Sequence, residues 1–332
     1  MKLYLNNIFT NGAVFAANLP IRVFGGGQGR VEGVFCGEKA VAKANGDGWI
    51  LEFSPRDYGG PYTMELSLDG EKITLADLYV GEVLLCSGQS NMQFKLKEST
   101  EIAENYQTCE RVRFFTVNRL EDGETFKEED GWIQCTKENA GEFSAIGYYV
   151  ATALAKQKGC AVGVIGVYQG ASAIRTWMPS ASLPACFKTI PDEQLHVDNC
   201  LYFFNQEGLL YEKMLSKIIP YAISRVIWYQ GESNTSIAES AIYDQLLSAL
   251  ITTWRTAFAL ENLPFCIVQI ADYDDTSTVY AGWEVLQEKQ LVVAESVPFV
   301  QTVISRDVCE TNDIHPPTKS KLGERIFDTI TR

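Results

Sequence analysis

Val83-Leu84-Leu85-Cys86-Ser87-Gly88-Gln89-Ser90-Asn91-Met92 joins an unbroken apolar run to a turn of glycine and small polar residues. A strand that is apolar at successive positions is buried on both faces, as in a parallel sheet covered by helices. The same texture returns at Val162-Gly163-Val164-Ile165-Gly166-Val167, Val226-Ile227-Trp228-Tyr229, Phe265-Cys266-Ile267-Val268 and Phe299-Val300-Gln301-Thr302-Val303. Helical periodicity fills the intervals. One segment covers 144–158, closed by Gly159, and others lie near 205–217, 237–258 and 281–294, with a last near 318–330. Strands alternating with helices predict an α/β core over residues 81–332. In such sheets, ligands gather beyond the carboxyl ends of the strands.

Residues 1–80 have a different texture. Short runs such as Ile21-Arg22-Val23-Phe24, Val31-Glu32-Gly33-Val34-Phe35 and Tyr62-Thr63-Met64-Glu65-Leu66 are separated by turns rich in Gly and Asp. This spacing predicts a small antiparallel β-sandwich domain ahead of the core. Gly25-Gly26-Gly27-Gln28-Gly29 lacks the spacing of a phosphate-binding loop and no helical pattern follows it, so it reads as a turn.

Composition narrows the function classes. The chain has 332 residues, 46% of them hydrophobic and 21% charged, with a formal net charge of −14. No basic run interrupts that balance, which argues against nucleic acid and anionic membrane surfaces as partners. No apolar stretch reaches the roughly 18 residues of a membrane span. The N-terminal residues carry no signal-peptide pattern, so a cytoplasmic location is expected if Met1 is the natural start. Nine cysteines are scattered without a CxxC pair, which predicts reduced thiols rather than a disulfide framework. With His196 and His315 the only histidines, a metal site is not expected, and no cofactor is implied.

Four segments carry the candidate chemistry. Ser90, on a glycine turn after a strand, is exposed for nucleophilic attack, and its backbone N–H can face a developing oxyanion. Alone, such a serine is more readily read as a helix cap. Tyr168-Gln169-Gly170-Ala171-Ser172 offers a further backbone donor at a strand end. Trp228-Tyr229-Gln230-Gly231-Glu232-Ser233-Asn234 offers the Asn234 side-chain amide, while Gln230 and Glu232 by themselves read as structural, hydrogen-bonding neighbouring loops. Asn312-Asp313-Ile314-His315-Pro316-Pro317 places a histidine on a loop before the last helix, and His196 lies in a polar stretch with no partner motif.

Together these segments resemble the conserved blocks of the SGNH hydrolases, in particular the sialate O-acetylesterase family and its carbohydrate acetylesterase relatives. That family's G-Q-S-N-M is matched at residues 88–92, its W-Y-Q-G-E-S-N at 228–234, and its D-I-H-P with a following K and G-E-R at 313–316, Lys319 and 323–325. Weaker likeness covers 59–62, 170–177, 220–223 and 264–270. The resemblance implies a three-layer α/β/α, flavodoxin-like core and a serine esterase acting on an O-acetylated sugar. The sugar would be sialic acid, or alternatively an acetylated hemicellulose. Ser90 would be the nucleophile and His315 the base, with Asp313 a candidate to orient it. The Ser90 and Gly170 N–H groups and the Asn234 amide would form the oxyanion hole. Gln89, Gln230, Glu232 and Arg175 would contact substrate, Arg175 either pairing with a sugar carboxylate or bridging within the protein.

The chain also departs from the family pattern. Asn312 stands three residues before His315, where an Asp is common, and Ala171 replaces a second glycine. Leu210-Tyr211-Glu212-Lys213-Met214 and Gln287 depart at positions expected near the substrate. A reading from a different class is a non-catalytic carbohydrate-binding protein in which Trp49 stacks on sugar.

Overall fold

The computed structural model describes residues 2–46, 48–100, 103–120, 131–275 and 277–332. The protein has a mixed α/β fold around a large, mostly parallel sheet. In the N-terminal region β1 (Tyr4–Leu5), β3 (Ile21–Gly26) and β6 (Trp49–Phe53) form an antiparallel sheet in the order β1-β3-β6. The strands β4 (Gln28–Phe35), β5 (Glu38–Asn45) and β7 (Gly59–Leu68) pair antiparallel, and β7 continues onto β8 (Glu71–Gly88). Short β2 (Val14–Ala16) runs parallel to β8.

The two groups of strands pack through one core. Leu51 and Phe53 of β6 lie against β4, where a side chain on Gly33 would meet both, and Phe35 sits edge-on to Phe53 at 6.0 Å. Trp49 belongs to this core. It is 4% exposed and donates its indole N–H to Gly26, so it is unavailable to stack on a sugar. In the glycine run, Gly25 and Gly26 belong to β3 and only Gly27 lies between β3 and β4. A Cβ on Gly25 or Gly26 would strike Tyr4.

β8 is the hinge of the architecture. Its 18 residues pass through position 80 unbroken, pairing first with β7 and then with the parallel strands. β8 itself lies between β11 (Val162–Tyr168) and β12 (Arg225–Tyr229), and the parallel sheet extends to β9 (Cys109–Thr116) on one side and to β13 (Phe265–Val268) and β14 (Val300–Val303) on the other, with β10 (Ile133–Cys135) antiparallel at the edge. The order is β10-β9-β11-β8-β12-β13-β14. β9 escaped prediction because Glu110, Arg111 and Arg113 interrupt its apolar run. Arg113 is nevertheless buried, its guanidinium 4.1 Å from the Tyr79 ring and paired with Asp77 at 3.2 Å.

The helices are α1 (Ser90–Gln93), α2 (Ala145–Lys158), α3 (Asp198–Leu201), α4 (Leu209–Lys213), α5 (Ile237–Ser240), α6 (Tyr243–Ala257), α7 (Trp283–Ser296) and α8 (Ser320–Thr331). α2 begins on Ser144, whose hydroxyl accepts from Gly147, and ends on left-handed Gly159, as its sequence predicts. The helix expected near 205–217 is broken into α4 flanked by 3₁₀ turns, and that expected over 237–258 divides into α5 and α6. Alternate strand residues enter two separate cores. Val83, Leu85, Val226, Trp228 and Phe265 pack with residues of α6 and α7, whereas Leu84, Cys86, Ile227, Tyr229 and Cys266 pack with residues of α2 and α8. Double-sided burial explains why these strands lack polar alternation.

All nine cysteines are free thiols. Among the described residues, no helix is long and apolar enough to cross a membrane.

Gly88 ends β8 at φ +136°, and a Cβ there would lie 2.0 Å from the Tyr229 carbonyl oxygen. Gly88→Ala is therefore expected to lose about 3 kcal/mol of stability in urea unfolding. An unchanged midpoint would contradict this packing.

Candidate active site

Three strand ends and one late loop meet at a cavity of about 700 Å³. β8 delivers Gln89 and Ser90, β11 delivers Gln169 to Ala171, β12 delivers Glu232 and Ser233, and the loop before α8 delivers Ile314 and His315. Ser90 opens α1, with Gln89 extended at φ −117° and ψ −151° so that the chain turns sharply out of the sheet. Among the described residues, neither the Ser90 hydroxyl nor the His315 ring has a hydrogen-bond partner within the protein. Both are half-buried and border the cavity.

The surroundings of His315 favour its neutral form. Burial lowers its pKa, and the nearby Lys319 charge lowers it further, against opposing pulls from Asp313 and Glu98. Asp313 is placed differently from the expectation. Its carboxylate accepts the backbone N–H of His315 at 2.8 Å, an Asx turn, and no hydrogen bond or ion pair joins it to the ring. A carboxylate two residues ahead reaches the main chain more readily than the side chain.

The expected oxyanion donors divide. The Ser90 N–H stands at the start of α1 with no carbonyl to receive it, and Gly170 lies close enough that a Cβ on it would sit 3.6 Å from Ser90 Cβ. The Gly170 N–H donates to Gln93 Oε1 at 2.9 Å, so it reaches a substrate oxygen only when that bond opens. Asn234 is not at the cavity. Fully buried, it accepts from the Ile174 N–H at 2.9 Å and from Gln230 Nε2 at 2.7 Å, and donates to Glu239 Oε1 at 2.7 Å. The carboxylate of Glu239, on α5, captures the amide that the motif suggested for catalysis.

Of the expected substrate contacts, Gln89 and Glu232 border the cavity and two do not. Gln230 is fully buried, its amide bonded to the Ser172 carbonyl and its oxygen to the Tyr243 hydroxyl. Arg175 donates to the carbonyls of Asn205 and Asn199, at 2.7 and 3.3 Å, and does not line the cavity. Gln287 and residues 210 and 214 also lie in the interior. Gln287 bonds the carbonyls of Ile270 and Ala271, and Leu210 and Met214 belong to the core. Ala171 adopts φ +56°, a left-handed conformation that a glycine would take without strain.

Several lining residues were not anticipated. Asp198 presents a carboxylate that accepts the Ser233 hydroxyl at 2.6 Å and lies 3.4 Å from His196 Nδ1. Tyr202 and Phe204 stack at 5.2 Å, and Tyr280 completes an aromatic flank. The only available signal was the aromatic run Tyr202-Phe203-Phe204, which carries no motif. Among the described residues, the lining contains no lysine or arginine.

Beneath the cavity floor, burial raises the Glu232 pKa and pushes the Lys319 ammonium down to about 8. Asn91 lies between them, receiving Lys319 Nζ at 2.6 Å and donating to Glu232 Oε1 at 2.5 Å. No cluster of residues suited to a metal occurs among the described residues.

Asn234→Ala would leave the buried Ile174 N–H without a partner and take one hydrogen bond each from the Gln230 amide and the Glu239 carboxylate. The expected cost is about 2–3 kcal/mol, visible as a lower melting temperature. A wild-type melt would refute the structural role.

Comparison with known proteins bears on the family. Human sialate O-acetylesterase is 25% identical over 316 residues, covering 86% of this chain, and the rat enzyme is 24% identical over 338 residues. The chain spans about 60% of the length of these curated relatives. A solved carbohydrate acetylesterase from Xanthomonas citri superposes with a TM-score of 0.83 at 29% identity, covering 98% of this chain and 74% of that one. An Arabidopsis thaliana protein shares the fold at a TM-score of 0.53 and 17% identity, over 75% of this chain and 97% of its own. Residues 80–332 match the model of the carbohydrate esterase, sialic acid-specific acetylesterase family, and the chain belongs to that family.

Proposed function

We propose that this protein is a serine carbohydrate O-acetylesterase, with O-acetylated sialic acid its substrate by analogy with the named relatives. The observation that carries the reading is that Ser90 and His315, far apart in sequence, border one cavity with both side chains unengaged. In architecture we read residues 81–332 as a three-layer SGNH-hydrolase core and residues 1–80 as a small β-sandwich.

The chemistry is two-step acyl transfer. Neutral His315 accepts the Ser90 proton as Ser90 Oγ attacks the acetyl carbonyl. The Ser90 N–H stabilises the oxyanion, joined by Gly170 N–H once Gln93 withdraws. The imidazolium returns its proton to the departing sugar oxygen, leaving acetyl-Ser90. Water deprotonated by His315 then cleaves that ester, releasing acetate and restoring the serine.

One observation favours a neutral acetylated sugar as a second reading. The cavity presents the Asp198 carboxylate and no lysine or arginine among the described residues, so a substrate carboxylate meets an acidic group without a cation to offset it. Acetate release from O-acetyl sialic acid and from acetylated xylose oligomers, compared side by side, discriminates the two. Ser90→Ala should abolish release from whichever is cleaved. An organophosphate probe should label Ser90 in the wild type, and an active Ser90→Ala would end the assignment.

The pH profile follows from the base. His315 must be neutral to act, and its pKa lies below the ordinary value of about 6.5. The acid limb of kcat/KM is therefore expected to have its midpoint below pH 6.5, with activity lost as pH falls through it. A limb centred above 7 would contradict the environment described.

A further inference from the structure

We propose that Asn91 is a positioning residue, clamping the loop of the base His315 onto the turn that carries the nucleophile. This rests on the reading of Ser90 and His315 as the reacting pair.

Asn91 follows Ser90 directly in α1 and is 1% exposed. Its Nδ2 donates to the carbonyl of Ile314, the residue immediately before His315, at 2.9 Å. The same nitrogen donates to Glu232 Oε1, and its Oδ1 accepts from Lys319 Nζ at 2.6 Å. One amide thus joins the nucleophile turn, the strand-end loop after β12, and the histidine loop on both sides of His315. Lys319 is held in place independently, with its ammonium 4.9 Å from the Phe94 ring and 5.5 Å from that of Tyr229.

The chemistry of the site requires an amide. Ile314 offers an acceptor and Lys319 brings a donor, so the residue between them must donate at one end and accept at the other. A carboxylate of equal size could hold Lys319 but would confront the Ile314 carbonyl with a second acceptor. A hydrocarbon would leave the buried ammonium and carbonyl unpaired. The usual means of aiming the base is missing here, because Asp313 binds the His315 backbone N–H rather than its ring. The ring is therefore directed by the position of its loop, and the shortest link from that loop to Ser90 passes through Asn91.

Displacement by an ångström costs an aligned reacting pair on the order of 100-fold in rate. In Asn91→Asp and Asn91→Ser, kcat for 4-nitrophenyl acetate should fall about 100-fold while KM stays within about twofold. Organophosphate labelling of Ser90 should slow in parallel, since that reaction uses the same serine and base without a sugar. Thermal melts of both variants show whether each is folded. Serine, being small, leaves room for a bridging water and guards against the loss of Asn91→Asp to misfolding. A folded variant with kcat within about threefold of wild type overturns the proposal, as does a loss confined to KM. If Ser90→Ala retains activity, the serine reading itself has failed. An inactive Ser90→Ala beside an undiminished Asn91→Asp removes the clamp alone.

Discussion

The three central strands end level, and that register builds the cavity. Gly88 pairs with Tyr168 of β11 on one side and with Tyr229 of β12 on the other. The next residues of all three strands therefore leave the sheet at the same height. The level is kept by close backbone approach, because Gly88 lies where any side chain would collide with the Tyr229 carbonyl. Ser90 is two residues beyond that contact, Gly170 two beyond Tyr168, and Glu232 three beyond Tyr229. A parallel sheet makes this convergence possible, since all its carboxyl ends share an edge.

Below the cavity, the loops are joined by buried polar groups rather than by apolar packing. Asn234, Gln230, Glu239 and Tyr243 form one such set; Asn91, Glu232 and Lys319 form another. Burying charge is costly, and an apolar replacement of similar volume can be the more stable choice. What hydrogen bonds add is direction. Each amide meets its partners in one orientation, so the loops are fixed in rotation as well as in depth. Glu232 Oε2 is buried without a partner, an expensive arrangement that its raised pKa partly relieves by favouring the protonated form.

Much of this was legible in the sequence, and the failures have physical causes. Continuous apolar runs announced β8, β11, β12, β13 and β14 because burial on both faces leaves no place for polar residues. β9 was hidden because its buried Arg113 is neutralised by Asp77 and Tyr79, partners lying more than thirty positions away. Ser90 and His315 were found through their motifs, and the structure brings them to one cavity. Asn234 was read for its chemical capacity, but a side chain's donors are assigned by its neighbours, and its buried amide donates to Glu239. The same holds for Arg175, whose charge suggested an anion and whose guanidinium found two backbone carbonyls. The aromatic flank had no periodicity to betray it, since it is assembled from two short 3₁₀ turns far apart in the chain.

In the proposed mechanism, the absence of a carboxylate on the His315 ring changes what the base does well. In a Ser-His-Asp triad the acid holds the tautomer and stabilises the imidazolium that forms during attack. Here burial and the Lys319 ammonium both oppose the imidazolium and outweigh the opposing pulls of Asp313 and Glu98. The result is a weaker base, of which a larger share is unprotonated at neutral pH than in an ordinary imidazole. Once formed, that imidazolium is a stronger acid than an ordinary one. A sugar alkoxide is a poor leaving group that needs a proton as the carbon–oxygen bond breaks, so strength as an acid offsets weakness as a base. Such a balance suits an ester of an alcohol, and it depends on the loop holding the ring in place for both transfers.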